Sequence, residues 1–306
     1  MQYTLAVSDS HWGGPDHLMQ SRDSIVNRAV EVIETRSQGE RYPLKVVNDG
    51  DMVVGQGIWR TQNWEQLMPN AAWQSYGWAW IWRGIQERLQ TVADVEQIAV
   101  VKGNHDRTGT GACLAMDLAL KLNLFGIPAK FVGSETLVNL APEGAAPYWC
   151  LFEHGYGHSA YYPLSYTLLR NTEKKLLMYT GMGKIIPRAC FGHSHWLFLG
   201  YALNPFNHLD CLGGMQRNDR PGIGRGVRAS GAILYAHDGE RLEVIPIEPE
   251  REALMADLGD GHLEIHCRQE IAQVMDQVLY WLEEHGYVEP DVIAGAMDPR
   301  MMEGAT

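Results

Sequence analysis

Paired cysteines, long apolar runs and positive charge are all scarce in this sequence. The five cysteines (Cys113, Cys150, Cys190, Cys211 and Cys267) are scattered without any Cys-x-x-Cys spacing, which argues against a zinc ribbon or a disulfide framework and points to a reducing compartment. No stretch approaches the roughly 18 consecutive apolar residues that a membrane-spanning helix needs. Residues Met1 to Ser8 lack the basic region and apolar run of a secretory signal. The chain is therefore expected to be soluble and cytoplasmic, with no membrane partner. Lys and Arg number 25 against 37 Asp and Glu, a net charge of −12, so the chain does not grip nucleic acid through a basic global field. A small anionic substrate is still admissible, because bound divalent cations reverse the local potential. There is no internal repeat and no low-complexity segment.

What is present is enough apolar material for a sizeable core: 45% of the 306 residues are hydrophobic and 20% are charged. This length suits one core with an appendage, here a core over residues 1–250 and a C-terminal helical extension over 251–306. Apolar periodicity alternates between short strand-like runs and longer helical ones. Strands are expected at Tyr3–Ser8, Leu44–Val47, Ile98–Val101, Trp149–Phe152 and Arg188–Phe191, and a hairpin is expected from Ala232–Ala236 and Leu242–Ile247, joined through His237 to Glu240. Helices are expected over His17 to about Arg36, Ala71 to Val92, Ala112 to Leu124 and Pro163 to Tyr179. A terminal helix follows, with Ile271, Val274, Val278 and Leu282 on one face. The tail from Met297 to Thr306 has little to pack.

Five of these strands end in clusters rich in Asp, Asn or His: Asp9-Ser10-His11, Gly50-Asp51, Gly103-Asn104-His105-Asp106, Glu153-His154-Gly155 and Gly192-His193-Ser194-His195. In open α/β sheets ligands bind at the carboxyl ends of strands, so these clusters would converge in space. Carboxylates together with neutral imidazoles favour borderline divalent metals such as Zn²⁺, Mn²⁺ or Fe²⁺ over Ca²⁺. Asp-x-His and His-x-His each place two ligands on one loop, and the two oxygens of Asp51 could bridge a pair of ions. Gly50, Gly103, Gly155 and Gly192 would let the backbone turn sharply there. Turn residues at strand ends would explain the glycines, but not five histidines.

In order and spacing, this series resembles the signature of the calcineurin-like metallophosphoesterases over about the first two hundred residues. The resemblance implies an α/β fold, a two-layered mixed β-sandwich flanked by helices, with two divalent metal ions (Mn²⁺, Zn²⁺ or Fe²⁺). One would be held by Asp9, His11 and His195, the other by Asn104, His154 and His193, with Asp51 bridging. His105 would contact the phosphoryl group and assist the leaving oxygen, with Asp106 orienting it. Where the family often has a second Asp three residues after the bridging one, this chain has Val54, a departure in the support of the site and from the protein serine/threonine phosphatase branch that leaves the bridging ligand unaffected.

The activity expected is two-metal phosphoester hydrolysis, with a metal-bridging hydroxide attacking phosphorus. The favoured substrate is a phosphodiester in a nucleotide or a single-stranded nucleic acid; the alternative is a phosphomonoester of a protein or metabolite. Family members that cut DNA often carry another His shortly after the bridging Asp, and none stands there. A scaffold that kept the fold and lost its metals is a third reading, opposed by the full ligand set. Six of the ten tryptophans fall in residues 59–82. They imply an aromatic cap for a nucleobase or a subunit interface of a homo-oligomer, which the C-terminal helix could also form, or else, on the structural reading favoured here, a bulky helix packed across the sheet and enclosed on several sides. Arg217, Arg220, Arg225 and Arg228 form a basic, glycine-rich loop, read as solvated surface before substrate clamp. His17, His158, His208, His237, His262, His266 and His285 are read as structural, with His158 the nearest to the expected site.

Overall fold

The computed structural model describes residues 1–15, 17–57, 66–68, 70–155, 166–193, 195, 197–201, 207–215, 230–259 and 261–287. Trp59, Trp64, His158, the four arginines of the 217–228 loop and the 297–306 tail lie outside them.

Two mixed sheets are stacked face to face. The first has six strands: β1 (Gln2–Val7), β2 (Pro43–Asp49), β3 (Asp94–Val101), β4 (Ala129–Gly133), β10 (Ala232–His237) and β11 (Leu242–Ile247), in the order β11-β10-β1-β2-β3-β4. Strands β1 to β4 run parallel, and the β10–β11 hairpin adds antiparallel to β1. The second has five: β5 (Glu135–Asn139), β6 (Trp149–Glu153), β7 (Arg188–Phe191), β8 (Phe198–Tyr201) and β9 (His208–Cys211), in the order β5-β6-β7-β9-β8. Its three central strands are parallel and both edges antiparallel.

Strand periodicity explains why the runs of the first sheet are apolar throughout. Leu5, Val46, Ile98, Val100 and Leu234 face the helices, while their neighbours Ala6, Val47, Val101, Ile233 and Tyr235 face the second sheet, against Cys150, Phe152 and Cys190. Strands buried on both faces need no polar alternation. The helical layer on the first sheet comprises α1 (Met19–Ser37), α2 (Ala71–Leu89), α3 (Leu114–Leu124), α5 (Arg251–Gly259) and α6 (Leu263–Glu284). Helix α4 (Tyr166–Gly181) covers the second sheet through Leu176. The expected two-layered sandwich flanked by helices is what the chain forms.

Helix α2 is capped by Asn70, whose Oδ1 accepts from the amides of Ala72 at 3.0 Å and Trp73 at 3.4 Å. Trp78 and Trp82 lie on one face and are 1% and 2% exposed, whereas Trp80 turns to Phe125 and Trp281. The helix contacts α1, α3 and α6, so these alternating tryptophans belong to a helix enclosed on several sides. After residue 250, α5 packs on α1 and α6 on α2, and Ile271, Val274, Val278 and Leu282 enter the same core as β1 to β3. No helix among the described residues is long and apolar enough to cross a membrane.

Candidate metal centre

The five polar clusters occupy the positions that the topology dictates. Strands β1, β2 and β3 end side by side in one sheet, β6 and β7 in the other, and their carboxyl ends meet across the sandwich. The β1–β2 pairing continues past the strands: the amides of Asp9, His11 and Trp12 donate to the carbonyls of Gly50, Asp51 and Met52 at 3.1, 3.0 and 3.1 Å. That ladder places Asp9 and His11 beside Asp51.

Asp9, His11, Asp51, His154, His193 and His195 are all buried, and Asn104 and His105 are half-buried. Three overlapping triads emerge, Asp9–His11–His195, His11–Asp51–His105 and Asp51–His154–His193, each with one ligand atom per residue inside a 4.8 Å span. Asp9 Oδ1 lies 3.2 Å from His195 Nε2, 3.8 Å from His11 Nε2 and 4.0 Å from His154 Nε2. His154 Nε2 lies 3.1 Å from Asp51 Oδ2 and 3.2 Å from Asn104 Oδ1. All seven residues expected as ligands are thus brought together.

The backbone is bent at the candidate ligands themselves. Asp9, His11, Asp51, His193 and His195 adopt φ of 54°, 47°, 52°, 70° and 55°, the left-handed region that non-glycine residues rarely occupy. Among the described residues only Gln38 joins them outside glycine. Such strain persists where surrounding contacts over-determine it, and it gathers at functional sites. Gly50 turns the backbone as expected, whereas Gly103 and Gly192 do a different job. A Cβ on Gly103 would stand 2.1 Å from Asp51 Oδ1, and one on Gly192 would stand 2.1 Å from Ser8 Oγ. Both are needed for close approach, and only Gly50, at φ 83°, supplies a left-handed turn as well.

Support for the ligands comes from residues the motif pattern did not single out. Asp49 Oδ2 accepts from the Gly192 amide at 2.8 Å, and its carbonyl accepts from His154 Nδ1 at 2.6 Å. Ser8 Oγ donates to Asp9 Oδ2, which also takes the His193 amide at 2.8 Å. A polar Asn48-Asp49 pair closing an otherwise apolar strand was the available signal for Asp49. Asp106, expected to orient His105, instead uses its carboxylate to gather backbone amides. Oδ2 accepts from Asp51 at 2.8 Å and Gly103 at 2.9 Å, and Oδ1 accepts from Met52 at 3.0 Å. It therefore ties the β2 loop to the β3 loop. The His105 ring is set by Nδ1 donating to the Val54 carbonyl at 3.2 Å, so the backbone of Val54 provides support where the resemblance led one to expect an Asp side chain.

The electrostatics follow from burial and proximity. Burial pushes Asp9 and Asp51 up, but the imidazoles outweigh it and hold both carboxyls well below the usual range: His195 and His154 at Asp9, His154 and His105 at Asp51. Burial opposes the charge on His154, yet Asp51 and Asp9 raise its pKa well above the ordinary histidine value. His105 is pushed down to about 4, because burial and the neighbouring His11 outweigh the pull of Asp51. Burial lifts Asp106 to about 6 and Asp49 to about 8.

These residues fit a cation. With Nδ1 donating to a carbonyl, the lone pair of a neutral His154 sits on Nε2, facing two oxygens that are themselves acceptors. Either a proton or a metal ion must occupy that convergence. Fully buried Asp9 Oδ1 is likewise ringed by imidazole nitrogens, His195 Nε2 at 3.2 Å, His11 Nε2 at 3.8 Å and His154 Nε2 at 4.0 Å.

No family model matches the chain, and no curated protein matches it either. Among solved structures the chain is similar to a predicted phosphoesterase from Streptococcus pneumoniae, 16% identical, covering 81% of this chain and 89% of that one at a TM-score of 0.32. It is also similar to Vps29 complexed with Zn²⁺ from Entamoeba histolytica, at 11% identity, 80% and 99% coverage and a TM-score of 0.38. A third likeness is to the sulfate thiohydrolase SoxB of Thermus thermophilus, at 11% identity, 84% and 60% coverage and a TM-score of 0.35. At these identities and TM-scores no activity transfers from them to this chain. The functional reading rests on the geometry of the cluster.

Proposed function

We propose that the protein is a phosphoester hydrolase dependent on two divalent metal ions, acting on a phosphodiester in a nucleotide or nucleic acid. The observation that carries this reading is the convergence of His154 Nε2, Asp51 Oδ2 and Asn104 Oδ1 within 3.2 Å of the imidazole, next to the Asp9–His11–His195 triad. Asp9, His11 and His195 would hold one ion; Asn104, His154 and His193 would hold the other, with Asp51 between them. The mixed carboxylate, amide and imidazole set suits Mn²⁺, Zn²⁺ or Fe²⁺. When bound, such a pair supplies Lewis-acid polarisation of phosphoryl oxygens and an activated water.

The remaining chemistry belongs to the chain. Asp49 and Ser8 fix the tautomer and direction of the ligands, Asp106 holds the β2 and β3 loops together, and the sandwich excludes water from behind. His105 stands beside the cluster with Nδ1 protonated toward Val54. Burial and the neighbouring His11 push its pKa down to about 4, which leaves the ring neutral at pH 7 in the metal-free chain. A phosphoester brings negative charge and raises that value, so the general-acid role toward the leaving oxygen is a property of the substrate complex. Asp106 acts as a positioning residue.

The test is turnover of bis-p-nitrophenyl phosphate against p-nitrophenyl phosphate, with Mn²⁺ and with chelator, for wild type and His105→Ala. Expected is faster, metal-dependent release from the diester, falling about 10²- to 10⁴-fold in the variant with metal content preserved. Preference for the monoester would make the protein a phosphomonoesterase. Hydrolysis of neither, with metals bound, would point to a scaffold.

A further inference from the structure

Trp12 follows His11 directly and is wholly buried. Its indole is held from two sides by helices distant in sequence. On one side Gly77 of α2 lies so close that a Cβ there would stand 2.0 Å from Trp12 Cη2. On the other, the indole Nε1–H donates to Glu270 Oε2 of α6 at 3.2 Å. Glu270 is fixed in turn by Arg22, whose Nη2 lies 2.9 Å from its Oε1. Arg22 Nη1 also donates to His17 Nε2 at 3.1 Å, and His17 Nδ1 donates to the carbonyl of Ser10 at 2.9 Å, returning to the loop that carries His11.

The Trp12 backbone connects this arrangement to both halves of the cluster. Its amide donates to the Met52 carbonyl and its carbonyl accepts from the Val54 amide, each at 3.1 Å. Val54 in turn accepts from His105 Nδ1 at 3.2 Å. A shift of the indole therefore moves His11, the loop after Asp51 and the seat of His105 together. A helix that served only to cover the core would not need a carboxylate aimed at this indole; Val278 and Leu282 of α6, each 0% exposed, already supply apolar burial.

We infer that Glu270 and Gly77 are positioning residues of the metal centre, clamping the Trp12 indole so that the C-terminal helix sets the placement of His11 and His105. This rests on the metal-centre reading. Glu270→Ala removes the acceptor, Gly77→Ala forces the indole aside without harming helix propensity, and Glu270→Gln keeps an acceptor for the indole N–H. Val278→Ala loosens α6 without touching the clamp.

The experiment is titration of the chelator-stripped full chain with Co²⁺, following visible absorption and apparent Kd, beside thermal unfolding of each variant. Glu270→Ala and Gly77→Ala are expected to weaken Co²⁺ binding about tenfold or more and to alter its spectrum. Glu270→Gln should restore both, and Val278→Ala should lower Tm with binding and spectrum unchanged. Wild-type binding with the same affinity and spectrum in Glu270→Ala and Gly77→Ala overturns the clamp alone. Equal weakening by Val278→Ala also overturns it, since general packing would then set the site. Failure of the wild type to bind Co²⁺ overturns the metal centre and the clamp with it.

Discussion

At the scale of single residues, His154 concentrates the physics of the site. It is fully buried, donates from Nδ1 to a carbonyl and directs Nε2 at two oxygens. Burial would strip its charge, but Asp51 and Asp9 hold a proton on it well above the ordinary histidine range. A metal ion must displace that proton. Apparent Mn²⁺ affinity should therefore rise with pH between pH 6 and 8, about tenfold per unit for one proton released. Isothermal titration in buffers of different ionisation enthalpy would show the proton; an affinity flat in pH with no proton released would count against His154 as a ligand.

At the scale of elements, the attachment of α6 to α1 and to the β1 loop runs through one carboxylate. Burial pushes Glu270 up, but the Arg22 guanidinium and His17 outweigh it and hold it below its usual value of 4.5. A depressed carboxyl contributes stability that is fully present above the unfolded value and is lost as pH falls through the folded one. Wild type should thus exceed Glu270→Gln in Tm at pH 7, and the gap should narrow below about pH 4.5 as the wild-type carboxyl takes up its proton. A gap constant from pH 7 to pH 3 would show that the charge of Glu270 contributes nothing to the attachment.

At the scale of the whole molecule, candidate ligands from both sheets meet at one end of the sandwich, so an ion bound there would fasten the two layers to each other. Anything that binds only the folded state stabilises it by mass action, about 2.7 kcal/mol at a hundredfold excess over Kd. Tm should climb with Mn²⁺ concentration in wild type, fall on chelation, and respond far less in Asp51→Asn, whose position lies in two of the three triads. Equal shifts in wild type and Asp51→Asn would place the ion elsewhere.

The division between what was legible in the sequence and what was not follows from the range of the forces involved. The strands, the helices and the five clusters at strand ends are local matters: apolar period, helix caps and the identity of residues closing a strand fix them, and the same residues converge in the structure. Strands β4, β5, β8 and β9 escaped the sequence reading because they are short, partly exposed or interrupted by charge, as in Glu135–Asn139 and His208–Cys211. Only their neighbours in the sheet make them strands. The left-handed turns at the ligands and the close approach at Gly103 were likewise invisible, because they arise when distant loops are pressed together. Adjacency in sequence suggests Asp106 as a partner of His105, whereas its carboxylate accepts from amides that only the folded β2 and β3 loops bring near. The sequence by itself determined which residues could hold a metal, since that is chemistry written in side-chain type. The tertiary structure alone decided what supports them, because the contact of Trp12 with Glu270 joins positions 258 residues apart and no local pattern encodes it.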